Sequence, residues 1–307
     1  MTPVWRSLQY VPAHVEKYVS SPHIAAADAV ILDLEDSVPV DRKALARAGL
    51  ANAVPMVART GADVLVRIND GEMAAHDIAA AVKPGVAALV IPKVRNAARL
   101  EHLDRLVSAA EAEAGMAPGS VRFVVLIETA DGFLDMPAIA RASPRTIAIN
   151  LGNEDFAFDL GMEASDETLL MPRQQLVIVA TATGLLPLGL MGSATSFDDP
   201  DAYRALALKS RRFGFVGSSC IHPSQIAILN EAFSPTTEQV LEARRMVASA
   251  KEAGSDGRGA FSIDGRMIDA PVVTRAEALI FRHLTIEARQ LARSKSSVES
   301  AKAIQQE

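Results

Sequence analysis

Eight short apolar runs, each suited to a buried strand, recur along this chain with helical patterns between them. They span residues 8–11, 29–34, 64–68, 88–91, 121–127, 146–151, 186–190 and 215–219. A strand that is apolar at every position is covered on both faces, as parallel strands are in α/β proteins. Eight such units match the usual size of a closed barrel of about 250 residues. The sequence therefore predicts an α/β fold, a (β/α)8 TIM barrel. The alternative is an open doubly wound sheet, although no G-x-G-x-x-G follows the first strand.

The chain beyond residue 233 carries more structure than a barrel needs. Two further helical patterns occupy residues 236–253 and 274–292, and a Gly/Asp-rich connector joins them. Within that connector, residues 260–268 resemble a hairpin that turns at Asp264-Gly265. We therefore predict a barrel catalytic domain at 1–233 and a C-terminal helical and hairpin extension at 234–307. The extension could reach a neighbouring subunit.

Composition limits the classes of partner. The 307 residues include 31 basic and 37 acidic side chains, for a formal charge of −6. No run of Lys or Arg is interleaved with aromatic residues, so we expect no nucleic-acid partner. No apolar run approaches the length of about 20 residues that a membrane span needs. The partners are expected to be small molecules.

The single cysteine and the first residues suggest a compartment. Cys220 is the only cysteine, which rules out an internal disulfide and fits a reducing environment. Met1 to Tyr10 lacks the charged start and apolar block of a signal peptide. These observations predict a cytoplasmic protein.

Polar side chains end the predicted strands, and in a barrel they would share one rim. They are Glu35, Asp36, Arg67, Asn69, Lys93, Glu128, Asp155 and His222. Glu128 and Asp155 follow consecutive strands, and two carboxylates with open water positions suit a hard cation such as Mg²⁺. Arg67 would offer a planar fork to a substrate carboxylate. The predicted ligand is an anionic, oxygen-rich acid.

Each of these residues also has a structural interpretation. Acidic residues at strand ends cap helices or pair with lysines, and Glu35 and Asp36 could cap the helical pattern at 41–58. Arg67 could be an ion-pair partner, and Lys93 a solvated charge. His222 before Pro223 is expected to be a hydrogen-bonded structural histidine, and Cys220 a packing residue.

The sequence resembles the HpcH/HpaI aldolase and citrate lyase β-subunit family, the CitE-like acyl-CoA lyases. The likeness covers about residues 6–285 and rests on eight blocks in order: RSLQYVPA, AVILDLEDSV, VLVRIND, LVIPKV, VLIETADG, GNEDFAFDLG, GFVGSSCIHPSQI and NEAFSP. The resemblance implies a Mg²⁺-dependent (β/α)8 enzyme, usually a trimer or hexamer. Such enzymes cleave or form a C–C bond between an acyl-CoA, or an acyl-carrier thioester, and a 2-oxo acid.

The resemblance also implies roles for individual residues. Glu128 of IET and Asp155 of GNED match the magnesium ligands, and Arg67 of VRIN matches the arginine that holds the oxo-acid carboxylate. The backbone around Glu154 and Asp155 would add donors to that carboxylate. In GRMIDAP, Asp269 matches the acid/base that a C-terminal segment supplies to a neighbouring subunit; its structural interpretation is a turn residue.

The sequence departs from the family in places that concern the acyl pocket. His14 follows VPA where many members have VPG, and Asn153 follows Gly152 where most have Ala or Thr. After the seventh strand, LGLMGSATSFDDP replaces the more usual Asp-containing turn. The resemblance, together with the C-terminal extension, implies a lyase for a β-hydroxyacyl-CoA such as malyl-CoA or citramalyl-CoA. The alternatives are a malyl- or citramalyl-CoA thioesterase, a citrate lyase β-like subunit, and a non-catalytic binding module.

Overall fold

Eight parallel strands form one sheet whose order follows the sequence. The computed structural model describes residues 3–192, 198–255, 261–263 and 266–304. The strands are β1 Ser7–Pro12, β2 Ala29–Asp33, β3 Asp63–Arg67, β4 Val86–Ile91, β5 Arg122–Ile127, β6 Thr146–Leu151, β7 Leu186–Leu188 and β8 Ser218–Cys220. Each of β1 to β6 pairs with the next strand along the chain, and β8 pairs with β1. This order confirms the predicted barrel and excludes the doubly wound sheet.

The segment before β8 joins the two ends of the sheet. Leu188 of β7 bridges Gly217, the Val216 N–H donates to the Pro187 carbonyl at 3.1 Å, and the Gly189 N–H donates to the Gly217 carbonyl at 2.9 Å. The strand predicted at 215–219 therefore begins three residues later than expected, at Ser218. A β-carbon at Gly217 would collide with the Trp5 carbonyl, so only glycine lets the backbone approach the residues before β1 this closely.

Ten α-helices flank the strands within residues 3–192 and 198–233. They are α1 Glu16–Val19, α2 Lys43–Ala58, α3 Met73–Ala81, α4 Ala97–Glu113, α5 Ala130–Leu134, α6 Met136–Ile139, α7 Asn153–Leu160, α8 Leu170–Thr183, α9 Pro200–Arg212 and α10 Ser224–Ala232. Capping residues mark the ends of some of these helices. The Asn96 side chain accepts from the Arg99 N–H at 2.9 Å to begin α4, and Gly161 takes the left-handed conformation that ends α7.

Strand side chains alternate between two buried layers. One layer fills the bore of the barrel and is made of strand residues and Trp5; it includes Leu8, Ile31, Leu65, Val90, Leu126, Ala148 and Leu188. The other layer joins the opposite strand positions to the helices. Because both faces of each strand are covered, polar side chains collect where the strands end.

The chain divides into two compact units, residues 1–233 and 234–307. The second unit contains α11 Thr237–Ser255, the antiparallel strands β9 Phe261–Ile263 and β10 Arg266–Ile268, and α12 Ala270–Ile304. The predicted turn at Asp264-Gly265 lies outside the described residues. α12 begins four residues before the predicted helix and extends beyond it. Within the described ranges, no helix is long and apolar enough to cross a membrane.

Candidate active site

Arg67 and Asp33 form the best-defined ion pair at the strand ends. They are cross-strand partners in the register of β2 and β3. Arg67 Nε donates to Asp33 Oδ1 and Nη2 donates to Oδ2, both at 2.7 Å. Nη1 lies 3.0 Å from both Glu35 Oε2 and Asp36 Oδ2, and the guanidinium stacks 4.8 Å above the Tyr10 ring. The arginine is therefore held in one orientation.

These contacts keep both partners ionised. Burial of Asp33 opposes its charge, but hydrogen bonds from Arg67, Ser37 and the Glu35 backbone outweigh it and lower the pKa of Asp33. Burial likewise opposes the charge on Arg67, yet the hydrogen bonds to Asp33 raise the pKa of the guanidinium. Three of the five Arg67 N–H groups donate to Asp33 and Asp36 within the described residues. Because Nη1 also lies 3.0 Å from Glu35 Oε2, the second Nη2 N–H is the group that remains for a ligand.

Glu128 directly follows β5 and is almost completely buried. Ile127 pairs with Leu151 of β6, and the Gly152 N–H donates to the Ile127 carbonyl at 3.0 Å. The Lys93 backbone N–H donates to Glu128 Oε2 at 2.7 Å. Lys93 has a φ of 52°, a left-handed conformation that costs energy for a residue with a side chain. That conformation aims the N–H of Lys93 at the carboxylate.

The electrostatic environment of Glu128 disfavours its negative charge. Burial is the main cause and raises the pKa of Glu128 from 4.5 to about 8. The charges of Glu35 and Asp155 contribute to this rise, while the hydrogen bond from Lys93 and the charge of Arg67 oppose it. A cation bound beside Glu128 would offset the repulsion among these three carboxylates.

Asp155 and Glu154 occupy the first turn of α7, which begins two residues after β6 ends. Negative charges are favourable there, because the first N–H groups of a helix have no partner within the helix. Glu154 is exposed and Asp155 is partly buried. The short connection places both residues beside Glu128 at the same end of the barrel.

Glu35 and Lys93 form a second ion pair at this end. Lys93 Nζ lies 3.0 Å from Glu35 Oε1. Burial raises the pKa of Glu35, while the bond to Glu35 outweighs burial and raises the pKa of Lys93. The alternative in which Lys93 is a solvated charge is therefore wrong. Glu35 pairs with Lys93 and Arg67, and no side chain caps the short 3-10 helix Val40–Arg42 or α2, so the capping interpretation of Glu35 and Asp36 is also wrong.

One cavity of about 480 Å³ is lined by the four barrel residues that were predicted to bind the metal or the substrate. Arg67, Glu128, Glu154 and Asp155 line it, with Tyr10, Asp33, Asp36, Asn150 and Asn153. In the part of the chain that the structure describes, no three His, Cys, Asp or Glu side chains are arranged to hold a metal ion. Two carboxylates suffice for Mg²⁺, which completes its shell with waters and substrate oxygens.

The other predicted residues make local contacts. Asn69 Nδ2 donates to the Leu34 carbonyl at 2.9 Å and to Asp77 Oδ2 at 2.7 Å. His222 Nδ1 lies 2.7 Å from Ser224 Oγ. Cys220 is fully buried, and burial raises the pKa of its thiol. Asp269 belongs to the second unit, where its Oδ1 accepts from the Val272 N–H at 3.3 Å at the start of α12.

Sequence analysis missed Asp33 and Tyr10 as parts of the site. Asp33 was counted within an apolar run, although a carboxylate inside such a run must find a buried partner. That signal could have identified it. Tyr10 lies in β1 and packs its ring under Arg67, a contact that depends on side-chain direction and leaves no mark in the sequence.

Comparisons with known proteins identify the family of this chain and several of its relatives. A family model described as HpcH/HpaI aldolase/citrate lyase matches residues 6–223. The chain is 32% identical over 279 residues to citrate lyase subunit beta of Leuconostoc mesenteroides subsp. cremoris, covering 90% of this chain and 92% of the relative. It is 34% identical over 293 residues to L-malyl-CoA/beta-methylmalyl-CoA lyase of Rhodobacter capsulatus, covering 88% and 90%.

A solved structure is also similar. CitE from Mycobacterium tuberculosis, in complex with magnesium, acetoacetate and coenzyme A, superposes with a TM-score of 0.71 at 29% sequence identity. The match covers 92% of this chain and 98% of that protein. The match therefore extends into residues 234–307 as well as residues 1–233.

Proposed function

Because the chain belongs to the HpcH/HpaI aldolase/citrate lyase family, we propose that it is a Mg²⁺-dependent carbon–carbon lyase. It cleaves a β-hydroxyacyl-CoA such as malyl-CoA or citramalyl-CoA into acetyl-CoA and a 2-oxo acid, or catalyses the reverse condensation. One observation carries this proposal: Arg67, Glu128 and Asp155 line the same cavity. These are the residue types that would hold an oxo acid against a divalent ion.

Glu128 and Asp155 are the proposed metal ligands. Their carboxylates are hard oxygen donors, and the burial and like charges around Glu128 leave a negative cluster that a cation would neutralise. The Lys93 N–H fixes Glu128 Oε2, so the carboxylate is oriented before any ion arrives. When bound, Mg²⁺ would supply a Lewis acid that stabilises negative charge on a substrate oxygen.

Arg67 is the proposed carboxylate-binding group. Asp33 holds the guanidinium in a bidentate pair, so little side-chain freedom is lost when a ligand binds. The Nη2 N–H that Asp33 does not use would donate to the carboxylate of the oxo acid. The backbone N–H groups of Glu154 and Asp155, in the first turn of α7, would add donors to the same group. These contacts align the reacting carbons.

The proposed cleavage is a retro-aldol reaction. The substrate hydroxyl gives its proton to solvent water, and its oxygen becomes the carbonyl oxygen of the 2-oxo acid. As this carbonyl forms, the bond between the hydroxyl carbon and the α-carbon of the thioester breaks, and the electron pair moves to the thioester as an enolate. The enolate carbon then takes a proton to give acetyl-CoA. We assign this proton transfer to Asp269, supplied by the 234–307 extension of a neighbouring subunit. This assignment and a homotrimeric or hexameric assembly are proposals that rest on family resemblance. A cytoplasmic location is proposed from the single cysteine, which fits a reducing compartment.

Product identification tests the function. The protein would be incubated with malyl-CoA, methylmalyl-CoA and citramalyl-CoA, with and without Mg²⁺, and both products would be identified. We expect acetyl-CoA or propionyl-CoA together with a 2-oxo acid, in equal amounts and only with the metal. Free CoA with the intact hydroxy acid would instead identify a thioesterase. Mg²⁺ binding without turnover of any thioester would favour a non-catalytic module.

A citrate lyase β-like subunit is the second candidate, because the identity to that subunit is nearly the same as the identity to the malyl-CoA lyase. The two candidates differ in the group that carries the thioester. Supplying the same acyl group on CoA and on an acyl carrier protein separates them. Turnover of the carrier-bound thioester alone would favour the citrate lyase subunit.

A further inference from the structure

Three arginines of the described chain are almost wholly buried, and one of them differs from the other two in its partners. Arg6 donates from Nε and Nη2 to Asp28 at 2.7 and 2.9 Å. Arg145 donates to Glu111 at 2.7 and 2.8 Å and to Asp104 at 2.6 Å. Such hydrogen-bonded carboxylates offset the loss of water that a buried guanidinium suffers.

Arg173 is only 2% exposed, but within the described ranges it has no hydrogen-bonded carboxylate. Its Nε makes one long bond of 3.4 Å to Asn153 Oδ1, and Nη1 makes no hydrogen bond. The carboxylate of Asp166 lies 3.7 Å from Nη1, is more than half exposed and also pairs with Lys209 at 3.1 Å. Arg173 is therefore a buried cation whose charge is incompletely compensated.

The pKa values of two of the buried arginines shift in opposite directions. Burial opposes the charge of Arg145, but its hydrogen bonds to Glu111 and Asp104 outweigh burial and raise its pKa. Burial lowers the pKa of Arg173, and the charges of Asp166 and Glu154 do not outweigh it. A guanidinium nevertheless stays protonated in proteins, so the charge of Arg173 has to be balanced by an anion.

Arg173 lines a small side pocket of about 50 Å³ between the ends of β6, β7 and β8. Two amides and two hydroxyls also line this side pocket: those of Asn150, Asn153, Ser218 and Ser219. Its described lining contains no carboxylate. Its volume is roughly that of one or two waters.

The segment after β7 keeps the side pocket open and leaves it without a negative charge. Gly189, Leu190 and Gly192 line the side pocket, and none of them carries a polar side chain. A β-carbon at Gly189 would lie 3.0 Å from Asn150 Oδ1 and 3.1 Å from the Phe215 ring, at a φ of +139° that disfavours any side chain. The space beside the buried cation is therefore preserved by a glycine.

We propose that the side pocket binds one small monovalent anion, such as chloride, with Arg173 as its cationic ligand. One uncompensated positive charge requires one negative charge, and the volume suits an ion only slightly larger than water. The Asn153 amide and the Ser219 hydroxyl supply neutral donors beside the guanidinium. Because Asn153 is the first residue of α7, the anion also stabilises the start of that helix. The site does not rest on the proposed lyase function.

Exchange of chloride for gluconate tests the site without metal or turnover. Thermal midpoints would be measured at equal ionic strength in sodium gluconate and in sodium chloride for the unmodified protein, Arg173→Gln and the surface control Arg204→Gln. Arg204 lies in α9 and pairs with the exposed carboxylate of Glu231. In chloride at about 0.15 M, we expect the unmodified protein and the control to gain about 3 °C more than Arg173→Gln, since the anion binds only the folded state.

Bromide locates the ion directly. Crystals of the unmodified protein grown without chloride would be soaked in bromide and measured at the bromine absorption edge. We expect an anomalous peak in the side pocket, within hydrogen-bonding distance of the Arg173 guanidinium. Water alone in the side pocket would overturn the proposal.

Two results in solution would also overturn it. One is a chloride-dependent gain in Arg173→Gln that equals the gain in the unmodified protein. The other is a bromide peak without any chloride-dependent gain, which would identify an adventitious ion only. If Arg173→Gln does not fold, the bromide peak decides.

Discussion

Gly152 lies against the carboxylate of Glu128, so that a β-carbon at residue 152 would come within 2.5 Å of Glu128 Oε1 and 2.9 Å of its Cδ. Glu128 is almost completely buried, and the Lys93 N–H donates to its Oε2 at 2.7 Å. The position of a proposed metal ligand therefore depends on a glycine directly after β6.

Replacing Gly152 with alanine should displace Glu128 and lower turnover by about 100-fold, the effect of a catalytic group moved by about 1 Å. Gly49→Ala is the matched control. A β-carbon at Gly49 would lie 3.4 Å from the Ala13 carbonyl, an ordinary contact. The control should keep full turnover and gain stability, because alanine favours the interior of a helix. Steady-state kinetics on both variants checks this, and unchanged turnover in Gly152→Ala would contradict it.

Mg²⁺ affinity should rise with pH. Since burial raises the pKa of Glu128 to about 8, a proton competes with the metal below that pH. The dissociation constant for Mg²⁺ should fall by up to about tenfold per pH unit between about 6 and 8, and level off above. Calorimetric titrations at pH 6, 7, 8 and 9 measure this directly. A constant affinity across that range would show that Glu128 is already ionised at pH 6.

The Glu128 contribution to the stability of the metal-free protein should fall as pH rises. Between pH 4.5 and about 8 the native state holds a proton on Glu128 that the unfolded chain has lost. The Glu128 contribution to the free energy of unfolding therefore falls as pH rises, by up to about 1.4 kcal/mol per pH unit. Glu128→Gln removes this dependence. Urea unfolding of both proteins at pH 5, 6 and 7 tests the difference, and parallel pH profiles would disprove it.

Asp269→Asn should separate catalysis from structure. Asp269 Oδ1 accepts the Val272 N–H at the start of α12, and asparagine can make the same cap. The variant should therefore keep its fold, its Mg²⁺ affinity and its oxo-acid affinity, while turnover falls by about 10²- to 10⁴-fold. Rapid-quench kinetics with binding measurements checks each part. Undiminished turnover would remove Asp269 from the mechanism and make Glu35 the next candidate.

The barrel and the main polar residues could be predicted from the sequence because both depend on local patterns. Apolar runs mark the strands, and the first polar residue after each run marks the rim. This logic placed Arg67, Glu128 and Asp155 at one end of the barrel, and they line one cavity. Their roles in binding metal and oxo acid stay predictions.

The partners of these residues could not be predicted, because pairing is decided across strands. Asp33 orients Arg67 through a register that is visible only in the folded sheet. Lys93 contacts Glu128 through its backbone N–H, in a left-handed conformation that a lysine in the sequence does not predict. Arg173 lies in an ordinary helical pattern, and only the packing of α8 on the strand ends buries its charge.

The central claim is that Glu128 and Asp155 bind one Mg²⁺ beside Arg67. Calorimetric titration of Mg²⁺ into the unmodified protein, Glu128→Gln, Asp155→Asn and the exposed-carboxylate control Asp131→Asn measures it most directly. We predict one site in the unmodified protein and in the control, and affinity at least about 100-fold weaker in each of the other two. Unaltered Mg²⁺ affinity in either Glu128→Gln or Asp155→Asn would contradict the account.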